Sequence, residues 1–351
     1  NRVMIEHFGN TVYPLSTMLF TLPGIPMIYS GQEARVEKKI KFFEKDTIQW
    51  NNYPDGNFYT NLINIRKKYS VFWSNNTTLE FLDGLPREVV GFKRWDSKNI
   101  YYVILNFSNQ VEGAQGLSIT NCNNITLEDF TVEEAKGDGI KCQYVNGITF
   151  RRIKTQWLGG PSSSNGAYGL YPIQCENIMI EHCIAIGASD AGIYVGQSQN
   201  VTVKNNKAYF NVAGIESENS SQVEIYNNEI YHNTGGLLIF NLPHLTVYGE
   251  DIRAYNNHIH DNNLKNFGVK GSIVSTVPRG SGVIIMATKK VSLYENKIEN
   301  HKTINSSIVS YEIYVPPKNK KKKKQNKKKR LPNGVRYIEN DYESDTQYSA
   351  Y

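Results

Sequence analysis

The chain of 351 residues is poor in cysteine, tryptophan, methionine and histidine, and it has no long apolar run. Its four cysteines, Cys122, Cys142, Cys175 and Cys183, show no C-x-x-C spacing, so they read as small apolar side chains rather than as a disulfide framework or a metal cluster. No stretch reaches the ~18 apolar residues of a membrane span, and the most apolar one, Met18 to Tyr29, is interrupted by Pro23 and Pro26. Histidines are too scattered for a zinc site, which needs three or four converging ligands. His258 and His260, with His232 one period earlier, read as exposed turn residues. No glycine-rich segment has the strand–GxxxxGK[ST]–helix context of a phosphate cradle. Acid is absent from Lys318 to Arg330, which holds ten basic residues; without them the net charge of +6 becomes −4. The chain is therefore not basic throughout, no nucleic-acid partner is expected, and the lysine run reads as a low-complexity, disordered tail. The chain starts at Asn1 with no signal sequence, so its start is expected to differ from the natural one.

What is abundant is periodic. Gly116, Gly139, Gly169, Gly192, Gly214, Gly236 and Gly282 recur with a repeat of 22 or 23 residues, one step lengthened by a loop and the last spanning two periods. A second line runs in phase: Ile125-Thr126-Leu127, Ile148-Thr149-Phe150, Val201-Thr202-Val203 and Val223-Glu224-Ile225. Self-similarity at this length is the mark of a solenoid whose short strands stack from coil to coil. Asn205-Asn206, Asn227-Asn228, Asn256-Asn257 and Asn296 fall at one corner and predict a structural asparagine ladder. Two insertions, Gln156 to Tyr168 and Leu264 to Ser281, break the rhythm, and loops on a rigid scaffold are where function concentrates.

Residues 1–110 carry no repeat. Val12 to Leu22 predicts a buried helix, Ile25 to Tyr29 a short strand, Asn57 to Tyr69 a second helix, and Val89 to Trp95 with Ile100 to Phe107 a hairpin. The run Thr21-Leu22-Pro23-Gly24-Ile25-Pro26-Met27-Ile28-Tyr29-Ser30-Gly31-Gln32-Glu33-Ala34, with Phe42-Phe43-Glu44-Lys45-Asp46 and Ile48-Gln49-Trp50, resembles the alpha-amylase family of glycoside hydrolases. That resemblance implies the last strand of an α/β barrel followed by the start of a β domain. The carboxylates that act in that family lie upstream of the matching segment, so Gln32 and Glu33 are read as vestigial and no amylase activity is expected. Over 111–315, Gly137-Asp138-Gly139-Ile140-Lys141, Asn165-Gly166-Ala167-Tyr168-Gly169-Leu170-Tyr171-Pro172 and Gly187-Ala188-Ser189-Asp190-Ala191-Gly192-Ile193-Tyr194-Val195-Gly196-Gln197 resemble a bacterial family of right-handed parallel β-helix proteins. This implies export to the periplasm or cell exterior and a polysaccharide or oligosaccharide partner. The fold expected is mainly β: a right-handed single-stranded parallel β-helix over 111–315, preceded over 1–110 by an incomplete barrel end with a β-hairpin and followed over 316–351 by the tail. The two halves read as a composite joined near Gln110.

Aligning the coils on their glycines puts Lys141, Tyr171, Tyr194, Glu216, Leu238 and Ile284 in one outward row, with Gln143, Gln174, Gln197 and Glu218 beyond it and Asp138 and Asp190 just before. Tyrosines with amides and carboxylates suit a sugar groove, with Tyr171, Tyr194, Gln197 and Glu218 as substrate-binding residues. Lyase or epimerase chemistry would use Lys141 as base and Arg151 or Arg152 as clamp, with Ca²⁺ as the candidate cofactor on Asp138, Asp190 and Glu216. Hydrolysis would use Asp190 and Glu216 as the carboxylate pair. Lys141, Arg152, Asp190 and Glu216 are thus the catalytic candidates. The alternative is a noncatalytic solenoid for adhesion or surface binding. The two differ in whether the row forms a cleft with converging charges or a flat exposed sheet. Oligomeric state is left open.

Overall fold

Each coil is built from three short strands because the apolar positions alternate and Asn, Gly or Ser closes each corner. The computed structural model describes residues 7–36, 41, 44–50, 52–85, 87–107 and 115–310, with backbone segments 336–338, 341–343 and 349–350. Contacts divide the chain into two units, residues 1–110 and 111–351.

In the second unit the strands stack in parallel into sheets wrapped around one interior. One face is formed by the start of Ile140–Arg151, then Tyr168–Ile173, Ala191–Gly196, Ala213–Glu218, Gly235–Phe240, Ser281–Met286 and Ile304–Val309. A second face continues from the end of Ile140–Arg151 through Glu176–Glu181, Gln199–Lys204, Ser221–Tyr226, Glu250–Tyr255 and Lys289–Tyr294. The third consists of three-residue strands from Thr131–Glu133 to Lys297–Glu299. The crossovers are right-handed, and the molecule's larger part is a parallel β-helix. Segments 336–338, 341–343 and 349–350 pair in parallel with its last coil. The lysine run of the sequence lies outside the described residues, as does the proposed junction near residue 110.

Inward side chains form apolar rows one coil apart. Ile140, Leu170, Ile193, Ile215, Leu237 and Val283 stack on the first face, and Ile148, Ile178, Val201, Val223, Ile252 and Val291 on the second. All twelve are buried in one continuous core. Cys142, Cys175 and Cys183 belong to that core, all four cysteines are free thiols, and burial pushes the Cys183 thiol up to about 12. They behave as the small apolar side chains expected.

Corners are held by side-chain amides. Asn206, Asn228, Asn257 and Asn296 are linked in series, each Nδ2 donating to the next Oδ1 at 3.0, 2.9 and 2.9 Å. A second ladder, not foreseen, runs Asn211, Asn233, Asn262 and ends on His301. Its trace was present as an asparagine three residues before Gly214 and Gly236. Asn205, Asn227 and Asn256, neighbours of the first ladder, sit at φ between 52° and 57°, the left-handed turn that asparagine tolerates.

The first unit contains α1 (Val12–Thr21), α2 (Gly56–Lys68) and a three-stranded antiparallel sheet, β1 (Thr78–Phe81), β2 (Val89–Trp95) and β3 (Ile100–Asn106). The β2–β3 turn is fixed by Asp96, whose Oδ1 accepts from the amides of Lys98 and Asn99 at 2.8 and 2.9 Å. Fully buried Arg94 ties α1 to the sheet by donating to the Thr21 carbonyl at 2.8 Å and to Thr77 Oγ1 at 2.7 Å. The strand expected at Ile25 to Tyr29 is not assigned to any sheet, and Ile25 is 97% exposed. A strand forms only where a neighbour completes its hydrogen-bond ladder, and the described residues supply none here. No barrel is seen among them.

Candidate functional site

The glycine beat positions the site. Placing a Cβ on Gly192 or Gly214 would bring it 3.0 or 2.9 Å from the carbonyl oxygen of the glycine one coil on. These residues therefore let coils meet closely, and they hold the strands that follow in fixed register. Two residues further along, Lys141 pairs with Tyr171, Tyr194 with Glu216, Glu216 with Leu238 and Leu238 with Ile284. The outward row drawn from the sequence is thus a real rung-to-rung column.

Its exposure is not what a flat open sheet would give. Ser118, which continues the row before Lys141, is exposed, and Lys141 and Tyr171 are half-buried. Tyr194 is 4% exposed, Glu216 2% and Leu238 0%. The cause is a second apolar cluster on the outside of this face, where Val274 and Val277 of the 263–280 insertion pack with Leu238, Phe240 and Ile284. The insertion is anchored at both ends, from the Leu264 amide to the Asn233 carbonyl at 3.0 Å and from the Gly280 amide to the Thr234 carbonyl at 3.1 Å. Leu238 and Ile284, expected to be outward and open, are therefore outward and covered.

Where the column passes from open to covered, acids gather. Asp190, Glu216 and Glu218 lie within electrostatic reach of one another, and Asp138 adjoins them. Tyr168, Tyr171 and Tyr194 pack beside them with ring centroids 4.4 to 5.1 Å apart. Tyr194 Oη donates to Glu218 Oε1 at 2.8 Å, Tyr168 hydrogen-bonds Asp190, and Glu216 Oε2 is buried with no hydrogen-bond partner. Burial raises all the acids. The Asp190 carboxyl is pushed up to about 7 by burial and by the charge of Glu218, against the hydrogen bond from Tyr168. Glu216 is held well above the usual carboxylate range by burial and then by Asp190 and Glu218. Glu218 is raised by burial and partly restored by Tyr194. Asp138 is raised by burial despite its bond to Gln115 and the nearby Lys141. Burial also pushes the Tyr171 phenol up to about 12, so the tyrosines remain neutral donors. Lys141 Nζ lies 5.4 Å from the centre of the Tyr171 ring.

Lys141, Tyr171, Asp190, Tyr194, Glu216 and Glu218 are brought together; Arg152 is not. It sits at φ 51° beyond the end of its strand, paired with Glu128 and, through Nε at 2.6 Å, with Asp129. Its neighbour Arg151 is bound to Glu181 at 2.6 Å. Both arginines serve intercoil ion pairs, because the second half of their long strand belongs to another face. Gln143 donates to Gln174 at 2.8 Å along the sheet. Gln197 accepts from Thr246 at 3.0 Å and so ties its strand end to the 241–249 segment. Among the described residues no three His, Cys, Asp or Glu side chains converge as a metal site, so Asp138, Asp190 and Glu216 do not form the expected Ca²⁺ cage. His258 and His260 stack with centroids 4.0 Å apart and bond to Glu299 and Asp261.

Two features escaped the sequence reading. Tyr168 stands one residue before a beat glycine, a place where the other coils carry Gln, Asp, Ala, Gly or Ser. A third insertion, 241–249, is clamped by Asn241, whose amide donates to the Gly249 carbonyl and accepts from the Gly249 amide, both at 2.8 Å. Its sign was a step of 29 residues from Asn228 to Asn257 instead of 22.

Fold and site together define a right-handed parallel β-helix with a buried cluster of acids and tyrosines on the outer side of one face. Residues 97–252 match the family model described as a right handed beta helix region. Among solved structures the chain is similar to the A-module of the Azotobacter vinelandii mannuronan C-5 epimerase AlgE6 (14% identity, 65% of this chain and 72% of that one, TM-score 0.38). It is also similar to the periplasmic alginate epimerase AlgG (13%, 62% and 51%, TM-score 0.43) and to the enzymatically active domain of bacteriophage CBA120 tailspike protein 2 (10%, 65% and 32%, TM-score 0.35). The chain spans about half the length of AlgG. These likenesses concern the fold alone. No curated protein matches the chain. No helix among the described residues is long and apolar enough to cross a membrane.

Proposed function

We propose that this cluster binds a polysaccharide or oligosaccharide and cleaves a glycosidic bond by acid–base catalysis, with Glu216 as proton donor and Asp190 as its ionised partner. The observation that carries this is the buried, unpartnered Glu216 oxygen beside two further raised carboxyls. Such an orphaned group costs on the order of 1–3 kcal/mol, and a fold that served only as a scaffold would fill the position with an apolar residue, as it does at Leu238. Burial raises both carboxyls, Glu216 well above the usual carboxylate range, which favours the protonated form that a proton donor needs. Tyr171 and Tyr194 offer ring faces and hydroxyls to the sugar, and Glu218 orients Tyr194.

Hydrolysis is favoured over lyase or epimerase chemistry because Arg152, which would have clamped a uronate, is held elsewhere by Glu128 and Asp129. The convergence of charges also speaks against the flat surface expected of an adhesive solenoid. We read residues 1–110 as an amylase-like remnant without a catalytic role, and we place the protein outside the cytoplasm, where long glycans lie.

Purified full-length chain, incubated with neutral and acidic polysaccharides, is expected to release reducing ends from a neutral one and none from starch. Glu216→Gln and Asp190→Asn should each lower the rate by about 10²-fold or more. Activity that survives both substitutions, or unsaturated products from a uronate, would sink the assignment.

A further inference from the structure

The acids of the outer column are unequally supplied with hydrogen bonds. Tyr168, in register with Ala191, bonds Asp190 through its phenol, and Tyr194, in register with Glu216, donates to Glu218 Oε1 at 2.8 Å. Each tyrosine thus reaches an acid one coil further on. Glu216, within electrostatic reach of both Asp190 and Glu218, has Oε2 buried with no hydrogen-bond partner. From the preceding coils Asp138, Lys141 and Tyr171 face the group, with the Tyr171 ring centre 4.4 Å from that of Tyr168 and 5.1 Å from that of Tyr194. The apolar side chains of Leu238, Phe240, Ile284, Val274 and Val277 complete the cluster. A phenol donates more strongly to a carboxylate than to an undissociated acid, so it favours the anion of the acid it bonds. Burial raises both the Tyr168 and Tyr194 phenols, so they stay protonated donors while the acids titrate.

From this arrangement we infer that Tyr168 and Tyr194 are positioning residues that decide which acid keeps a proton. Each hydroxyl holds its own partner, Asp190 or Glu218, as the anion, and the proton is left on Glu216. The inference deepens the acid–base reading of the cluster, and its meaning for catalysis rests on that reading. It gives Tyr168, a residue outside the outward row, the role of keeping Asp190 ionised beside an undissociated Glu216. Two anions next to Glu216 then add to burial in holding its proton. Without the Tyr168 hydroxyl, burial and the Glu218 charge would act on Asp190 unopposed by that bond and move its proton uptake to higher pH.

The test is an infrared pH titration of the full-length chain carrying ¹³C at the aspartate side-chain carboxyl, which separates Asp from Glu bands. Subtraction of Asp190→Asn isolates the Asp190 band. Tyr168→Phe keeps the ring and its packing and loses only the hydroxyl. In it the Asp190 midpoint should rise by about one to two pH units, as loss of a hydrogen bond to a charged group requires. Tyr194→Phe should raise the Glu218 midpoint likewise, read against Glu218→Gln, and it carries the test alone should Tyr168→Phe fail to fold by circular dichroism. A midpoint that stays in place in a folded variant overturns the role of that tyrosine, even if the wild type cleaves a glycan. Shifted midpoints in a chain that cleaves no glycan support the proton arrangement and overturn the hydrolase reading alone.

Discussion

At each beat glycine a backbone carbonyl of the neighbouring coil occupies the space that a Cβ would need. At Gly192 the added atom would lie 2.6 Å from Asn211 Nδ2 and 3.0 Å from the Gly214 oxygen. Both neighbours are fixed, Asn211 by the ladder and Gly214 by its own strand, so neither yields cheaply. Gly192→Ala should therefore destabilise the chain by about 1–3 kcal/mol in urea unfolding, as overpacking does. Gly159→Ala, in a loop with nothing within 4 Å, should change stability by less than about 0.5 kcal/mol. Equal effects at the two positions would mean that the beat is not a packing constraint. The recurrence of these glycines was legible in the sequence because a fixed period needs no tertiary knowledge. Their neighbours were not, since Asn211 and Gly214 lie one turn of the helix away. The same holds for Glu216. Its place in the row followed from counting, but its burial did not, and the cover over its row neighbour Leu238 comes from Val274 and Val277, more than thirty residues later in the chain, which no local pattern announces.

The elements that close the coils are the two amide ladders. In the second, Asn262 Nδ2 meets His301 Nε2 at 3.0 Å and His301 Nδ1 meets Asn305 Oδ1 at 3.0 Å. Nε2 therefore accepts and Nδ1–H donates, which specifies a neutral ring. Burial lowers the His301 imidazole to about 4. The unfolded chain takes up this proton near 6.5 and the folded one only near 4, so acid favours unfolding across that window. Stability from this residue is complete above pH 6.5 and declines as pH falls toward 4, by on the order of 3 kcal/mol in all. His301→Asn, which prolongs the ladder with an uncharged amide, should flatten that part of the stability–pH curve measured by urea unfolding. An unchanged slope would show that the ring is not held neutral. The first ladder was readable from Asn-Asn pairs at constant spacing. The second hid behind single asparagines and a terminal histidine, and insertions had stretched its spacing. Strand faces were legible because alternation at period two is local, whereas the expected strand Ile25–Tyr29 failed because apolar character alone supplies no partner.

At the scale of the molecule, a repeating scaffold is made singular by three insertions, one of which, 263–280, covers the outer side of one face. The repeat is what the sequence displays most openly, and it yields the β-helix with its register. The acidic cluster is an exception to the repeat and was only half legible: the register of the column from Lys141 to Glu216 followed from counting, while Arg152, read as a clamp for it, lies away from it because the long strand Ile140–Arg151 passes from one face to the next. The account of function turns on one physical claim, that Glu216 carries a proton at neutral pH while remaining in a folded, partly acidic cluster. Infrared difference spectroscopy of wild type against Glu216→Gln, with folding of both confirmed by circular dichroism, reads that proton directly through the carbonyl stretch of an undissociated carboxyl. The expected result is a protonated-carboxyl band at pH 7 in wild type that is missing from the variant. A difference spectrum at pH 7 that shows only loss of a carboxylate band would mean that Glu216 is ionised, and would contradict its role as proton donor.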